Sequence, residues 1–378
     1  MATKGLDDAV AAATRLSEVF GEAGRLVYAG YEIQDLAEHA TFEEVCHLLW
    51  YGELPTSAQL GQLQARINEG MRVDARAFDL LRSASRDAHP MAQLRSAVSA
   101  LAFWDTDAED NAPEASERKA VRLTGQTITL SAAIARVREG NDPVEPRADL
   151  GLGANFLYML RGEAPDAVSA RTMDVALTLH AEHGMNASTF AARVAAATLA
   201  DMHGAVTAAI ATLKGPLHGG ANEGVMRMLL EIGSVEAAEP WVRDTLARGE
   251  KVMGFGHRVY RVLDPRAPIL RALAEQMMAE TGGDAHWLRV SDRIQQIVRE
   301  EMDKRGKKIY ANVDFFSAPV YSTMGIPTDL FTNVFACARM AGWTAHVIEQ
   351  QQDNRLIRPR SEYRGPADRQ VVPIAERN

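Results

Sequence analysis

Apolar residues recur at helical spacing through most of this chain. After His218, residues Val225, Met228, Leu229 and Ile232 fall at i, i+3, i+4 and i+7, and Gly233 can close that helix. Earlier, Thr41 and Glu44 make a T-x-x-E capping box ahead of the stripe Val45, Leu48 and Leu49, with Gly52 and Pro55 as the stop. Leu94, Val98, Leu101 and Ala102 line a helix that starts at Pro90, and Ile269, Leu270, Leu273 and Met277 line one opened by Arg266. The same reading predicts helices over 57–71, 75–85, 119–139, 167–184, 235–248, 288–305 and 330–350. The alanine-rich run 187–213 reads as two helices, or as one kinked near Gly204. Residues 25–33 read as a short extended or hairpin piece, and 309–321 as a short mixed stretch holding Asp314. Strands and helices do not alternate, so the pattern predicts a nearly all-α protein.

Composition narrows the class. A chain of 378 residues, 47% of them apolar, can build two or three domains with sizeable cores. Its net charge of −9 argues against nucleic acid as a general partner. Two cysteines, Cys46 and Cys337, lie far apart without metal-type spacing, which fits a reducing compartment. The N-terminus has neither the apolar run of a secretory signal nor the look of a transit peptide. The alanine-rich run is broken by Arg193, Asp201 and His203, so no membrane span is expected. A cytoplasmic enzyme is the expectation. The acidic stretch 105–117 lacks an EF-hand pattern and reads as a solvated connector. GLGANF at 151–156 lacks the third glycine of a dinucleotide fingerprint.

Candidate chemistry gathers in a few turns. His218 precedes Gly219 and Gly220 at a helix start, where partial positive charge disfavours a second proton on the imidazole and leaves a neutral hydrogen-bond donor. His257 follows Gly254-Phe255-Gly256, and Asp264-Pro265-Arg266 then reads as N-cap, first helical position and a cation at a helix start. His180 and His183 share a helix face, but no third metal ligand stands nearby, and packed helix-end histidines are the plainer reading. Arg339 sits in the apolar stretch FACARMAGW, where a guanidinium needs a partner, either in an ion pair or in a ligand. The basic run 304–308 reads first as a solvated helix end.

GPLHGGANE (215–223), GFGHRVYRVLDPR (254–266) and NVDFFSAPVY (312–321) resemble, in order, the three catalytic segments of citrate synthases. Agreement extends from about Leu26 to Gly365. The resemblance implies a two-domain helical fold in which a small helical domain, 219–322, is inserted into a large one made of 1–218 and 323–378. It implies condensation of acetyl-CoA with oxaloacetate and hydrolysis of the citryl thioester, with no metal and no cofactor beyond the acyl-CoA substrate. His218, His257 and Asp314 match the catalytic residues, with Asp314 as base. His183, Arg266, Arg339 and Arg358 match the oxaloacetate ligands. Arg261 matches a CoA phosphate contact, and the backbone of Val252, Met253, Gly254, Phe255 and Gly256 would face the adenine. A homodimer is implied, with Arg358, in the tail motif RPRS, completing the neighbouring site. 2-Methylcitrate synthase, acting on propionyl-CoA, shares all these motifs. A zinc hydrolase built on the ten histidines and an inactive helical scaffold are the readings from other classes.

Overall fold

The computed structural model describes residues 4–6, 9–281 and 285–377; part of the N-terminal stretch read for a leader lies outside them. A small antiparallel sheet comes first, β1 (Ser17–Phe20), β2 (Arg25–Tyr28) and β3 (Tyr31–Glu32), in the order β1-β2-β3. Sixteen α-helices follow among the described residues: α1 (Ile33–His39), α2 (Phe42–Tyr51), α3 (Ser57–Gly70), α4 (Ala75–Ser83), α5 (Pro90–Leu101), α6 (Pro113–Glu139), α7 (Leu152–Arg161) and α8 (Ala167–His180). Then come α9 (Ala187–Ala196), α10 (Met202–Leu213), α11 (Ala221–Ile232), α12 (Val235–Ala247), α13 (Arg266–Thr281), α14 (His286–Lys304), α15 (Val313–Thr323) and α16 (Phe331–Gln352). The fold class is therefore as expected, and the hairpin expected over 25–33 is β2 and β3.

Helix α16 is the axis of the molecule. Every residue from Phe331 to Ile348 is buried, the signature of a helix surrounded by protein. It packs on α6, α8, α9, α10 and α2. Small residues allow this closeness: a Cβ on Gly342 would stand 2.3 Å from the Ala181 carbonyl oxygen. Against this core stands a second group, in which α13 and α11 pack on α15 and α12 packs on α14. Helix α13 also reaches α8, and α11 reaches α16.

Of the two readings of 187–213, the structure has the two helices, with the break at 197–201 and no kink needed at Gly204. Leu199 takes φ 65°, and the Asp201 side chain caps α10 by accepting the Gly204 N–H. Two other local expectations are corrected. The end of the acidic connector is helical, because Pro113 at the first position and Glu114 in the first turn suit a helix N-terminus. The mixed stretch 309–321 holds a helix from Val313, capped by Asn312, whose side chain accepts the Asp314 N–H at 3.0 Å. GLGANF opens α7, and no strand precedes it; the Glu43 carboxylate accepts the Leu152 N–H there at 2.6 Å, taking the place an anionic ligand would need. Among the described residues, no helix is long and apolar enough to cross a membrane.

Candidate active site

The His257 turn and the Asp314 helix are stitched together by backbone. Asn312 N–H donates to Gly254 O at 2.9 Å, Gly256 N–H donates to Tyr310 O at 2.8 Å, and the Asn312 side chain donates to Gly256 O at 2.9 Å. Glycine is required at 254: its φ is +79°, and a Cβ would come within 2.8 Å of both Phe315 and Val225. These contacts place the histidine turn over the first turn of α15, with the Phe255 and Phe315 rings 4.6 Å apart.

Both catalytic-candidate histidines are held neutral, in opposite tautomers. His257 Nδ1 accepts the N–H groups of Val259 (3.0 Å) and Tyr260 (3.1 Å), so its proton resides on Nε2. Burial, helped by the Arg266 charge, lowers its pKa to about 4. His218 lies three residues before α11, as expected. Its Nε2 accepts the Ser188 backbone N–H at 3.3 Å and meets the Ser188 hydroxyl at 2.8 Å, which leaves the proton on Nδ1. Trp343 donates to the same hydroxyl at 3.1 Å, tying it to α16. Burial first, then the Arg339 charge, lowers the His218 pKa to about 4. Each ring is thus a neutral N–H donor.

The cations are arranged differently from one another. Arg266 spends Nε and Nη2 on Asp264, at 3.0 and 2.8 Å, with both side chains almost wholly buried. Asp264 also accepts N–H groups from Arg266 and Val313, so one carboxylate joins the starts of α13 and α15. Arg339, 1% exposed, donates Nε to His180 O at 2.7 Å and lies 4.8 Å from the Phe335 ring centroid. Its Nη1 is buried without a hydrogen-bond partner among the described residues. Burial lowers its pKa to about 10, which leaves it charged. Helix α8 stops at His180, short of the expected Gly184, so His183 lies three residues past it and does not share a helix face with His180. The His183 ring is 5.2 Å from the His257 ring, and its Nε2 is 3.3 Å from the Tyr260 hydroxyl. Burial and then the Arg266 charge hold it well below the usual histidine range.

Asp314 is half-buried, and its Oδ1 is cut off from solvent without a hydrogen-bond partner among the described residues. Burial raises its pKa to about 7; Arg266 and Arg339 pull it down and Asp264 pushes it up. Burial wins, although α15's N-terminus would by itself favour the anion.

The structure therefore places His183 and Asp314 in the fields of both Arg266 and Arg339, His257 in that of Arg266, and His218 in that of Arg339. It leaves two expected ligands outside: Arg261 is exposed beyond the His257 turn, and Arg358 is exposed in the tail. Along 252–256, Val252 and Gly254 are buried, and Met253 lies over Gly224, where a Cβ would meet it at 2.8 Å. His180 is structural, donating Nδ1–H to Ala176 O at 2.8 Å.

Sequence reasoning missed Ser188, Tyr260, Glu182 and the ion-pair role of Asp264. Glu182 is wholly buried and accepts from His346 at 3.0 Å and Ser17 at 2.9 Å. Only Asp264 had a local signal, its place two residues before Arg266. Asp264→Asn is expected to destabilise the fold by about 3–5 kcal/mol, because it strands a buried guanidinium. A drop in the urea midpoint measures it; an unchanged midpoint would show that the pair is not needed.

Among the described residues, no three His, Cys, Asp or Glu side chains group as a metal site. The family model described as Citrate synthase, C-terminal domain, matches residues 5–360. Citrate synthase 2 of Bacillus subtilis (strain 168) is 48% identical over 377 residues, covering 100% of this chain and 99% of that one. A 2-methylcitrate synthase of Shewanella oneidensis is 44% identical over 375 residues, covering 99% and 97%. A solved ternary complex of carboxymethyl coenzyme A and oxaloacetate with citrate synthase from Thermoplasma acidophilum superposes with a TM-score of 0.94 at 34% identity, covering 100% of both chains.

Proposed function

The chain belongs to the citrate synthase family, and from that premise we propose that it condenses acetyl-CoA with oxaloacetate and hydrolyses the resulting citryl-CoA to citrate and CoA. The observation that carries this reading is Arg339, a buried cation whose Nη1 has no hydrogen-bond partner among the described residues. An anionic ligand beside it would satisfy a donor that is otherwise costly to bury. Arg266 commits its Nη1 only weakly among the described residues, donating to Leu179 O at 3.5 Å. Two guanidinium groups with His183 between their fields suit a small dicarboxylate. The Thermoplasma relative, solved with oxaloacetate and a CoA analogue, supports the same assignment.

The steps follow from the protonation states. Asp314, ionised, takes a proton from the methyl group of acetyl-CoA, while His218 Nδ1–H donates to the thioester oxygen as charge builds there. The enol carbon attacks the ketone carbon of oxaloacetate, and His257 Nε2–H donates to that ketone oxygen as it becomes an alkoxide. Water then adds to the thioester carbonyl and CoA leaves as the thiol. The proposed division, with 219–322 inserted between 1–218 and 323–378, puts His257, Arg266 and Asp314 on one side and His183 and Arg339 on the other. Closing the two parts would exclude water from the enol.

Arg261 is proposed to meet a CoA phosphate, with the backbone of 252–256 against the adenine. The protein is proposed to act as a homodimer in the cytoplasm. Exposed Leu217 beside His218, and Leu356, Tyr363, Val371 and Ile374 in a tail without a core of its own, support a partner surface.

The acyl group is tested by kcat/KM for acetyl-CoA and propionyl-CoA with saturating oxaloacetate. Acetyl-CoA is expected to lead; one methylene is worth about 1–3 kcal/mol, or about 10–200-fold. A higher value for propionyl-CoA would make the enzyme a 2-methylcitrate synthase, the activity named for the Shewanella relative.

A further inference from the structure

We propose that the β1–β2 hairpin is a clamp that sets the His257 turn against the His183 segment, with Gly21 as its positioning residue. The proposal rests on reading those two histidines as parts of one substrate site.

At its tip the hairpin meets backbone with backbone. Gly21 O accepts the Arg261 N–H at 3.0 Å. A Cβ on Gly21 would stand 2.4 Å from Val259 O, closer than a side chain permits, and 3.0 Å from Val259 C. Gly24, at φ +63°, lets the turn close over Val262, whose Cγ2 would be 2.7 Å from a Cβ. At its base the hairpin grips both neighbours of His183. The Ser17 hydroxyl donates to Glu182 Oε1 at 2.9 Å and accepts the Gly184 N–H at 3.0 Å. The Tyr28 hydroxyl donates to Glu182 O at 2.8 Å and accepts its N–H at 3.2 Å. Val19 lies against Gly184, its Cγ2 3.7 Å from where a Cβ would be.

The contact at the tip reaches His257 through one rigid unit. The Val259 carbonyl and the Tyr260 N–H belong to the same planar peptide. That N–H is one of the two donors to His257 Nδ1, and the Tyr260 hydroxyl meets His183. Pushing the carbonyl away from residue 21 must therefore rotate the donor that fixes the His257 tautomer. The other titratable and charged groups facing this ring are Arg266 and Asp264 at the start of α13, Tyr260 in the same turn and His183 in the segment that follows α8.

Gly21→Ala tests the clamp, with Glu22→Ala, at an exposed neighbour, as control. In the free wild-type protein the His257 imidazole, followed by NMR, is expected to stay an Nε2–H neutral ring until pH falls to about 4. In Gly21→Ala it is expected to titrate at a higher pH, because a hydrogen bond to the neutral form is lost. Its kcat/KM for oxaloacetate is expected to fall about 10²-fold. Glu22→Ala is expected to match wild type in both. A folded Gly21→Ala with native His257 titration and native kcat/KM overturns the proposal. Amide exchange in the wild type decides it without a variant: the Val259, Tyr260 and Arg261 amides are expected to exchange slowly and together, and fast exchange at Arg261 overturns the clamp even where Gly21→Ala does not fold. A wild-type protein inert toward oxaloacetate would sink the functional reading, while the titration and exchange would still judge the clamp.

Discussion

Asp314→Asn is expected to fold normally and to lose about 10²–10⁴-fold in kcat. The substitution keeps the shape of the side chain and the N-terminal turn of α15, so the Asn312 cap and the Gly254–Asn312 stitch survive. What it removes is a base of suitable strength. Asp314's pKa is raised to about 7, chiefly by burial, against the pull of Arg266 and Arg339. A carboxylate so placed is ionised over part of the physiological range and is a far stronger base than one in water. The sign follows. The base works deprotonated, so wild-type kcat/KM is expected to rise as pH is raised through about 7 and to flatten above it. The histidines do not contribute to that limb, because His218 and His257 stay neutral until about pH 4. Asp314→Asn should remove the limb with the activity. A variant of near-normal turnover would take Asp314 out of the chemistry.

Mixed dimers carrying Arg358→Ala on one subunit and Asp314→Ala on the other are expected to recover about half of wild-type activity, on the assumption of two independent sites. Each parent alone is expected to be nearly inactive. In the structure Arg358 is exposed, six residues past the end of α16, in a segment exposed almost throughout. On the shared-site proposal, a guanidinium there contributes by lying in the neighbouring subunit's dicarboxylate site. If each tail serves the other subunit, one site in the mixed dimer carries both lesions and the other carries none. If Arg358 serves its own subunit, every site carries one lesion and the dimer stays inactive. Two affinity tags isolate the mixed species, and mass measurement confirms it. An inactive mixed dimer would end the shared-site hypothesis and leave the roles of Asp314 and the histidines standing.

Amphipathic helices with clear stops were legible because half-exposed faces leave a period in the sequence. The faces around Val225, Leu94 and Leu270 are examples. Helix α15 was not, because it is buried on nearly every side and carries Pro319 inside, so neither period nor composition marks it. Strand β1 is four residues of mixed polarity, too short to alternate visibly. The site divides in the same way. His218, His257 and Arg266 sit beside glycines and caps that advertise a turn. Ser188, Tyr260 and Glu182 act through partners 30, 77 and 164 positions away, and such pairings exist only once the helices have packed. Arg339 was legible for a different reason, as a charge in an apolar run, which must find either a partner or a ligand.

On the proposed function, the site removes one methyl proton from an acetyl thioester and joins the resulting carbon to oxaloacetate. Purified enzyme supplied with oxaloacetate and acetyl-CoA bearing three methyl deuteriums tests it most directly. One CoA thiol is expected per citrate formed, with two deuteriums retained in each citrate and neither product made without oxaloacetate. CoA release that does not require oxaloacetate, or a product that keeps all three deuteriums, would contradict it.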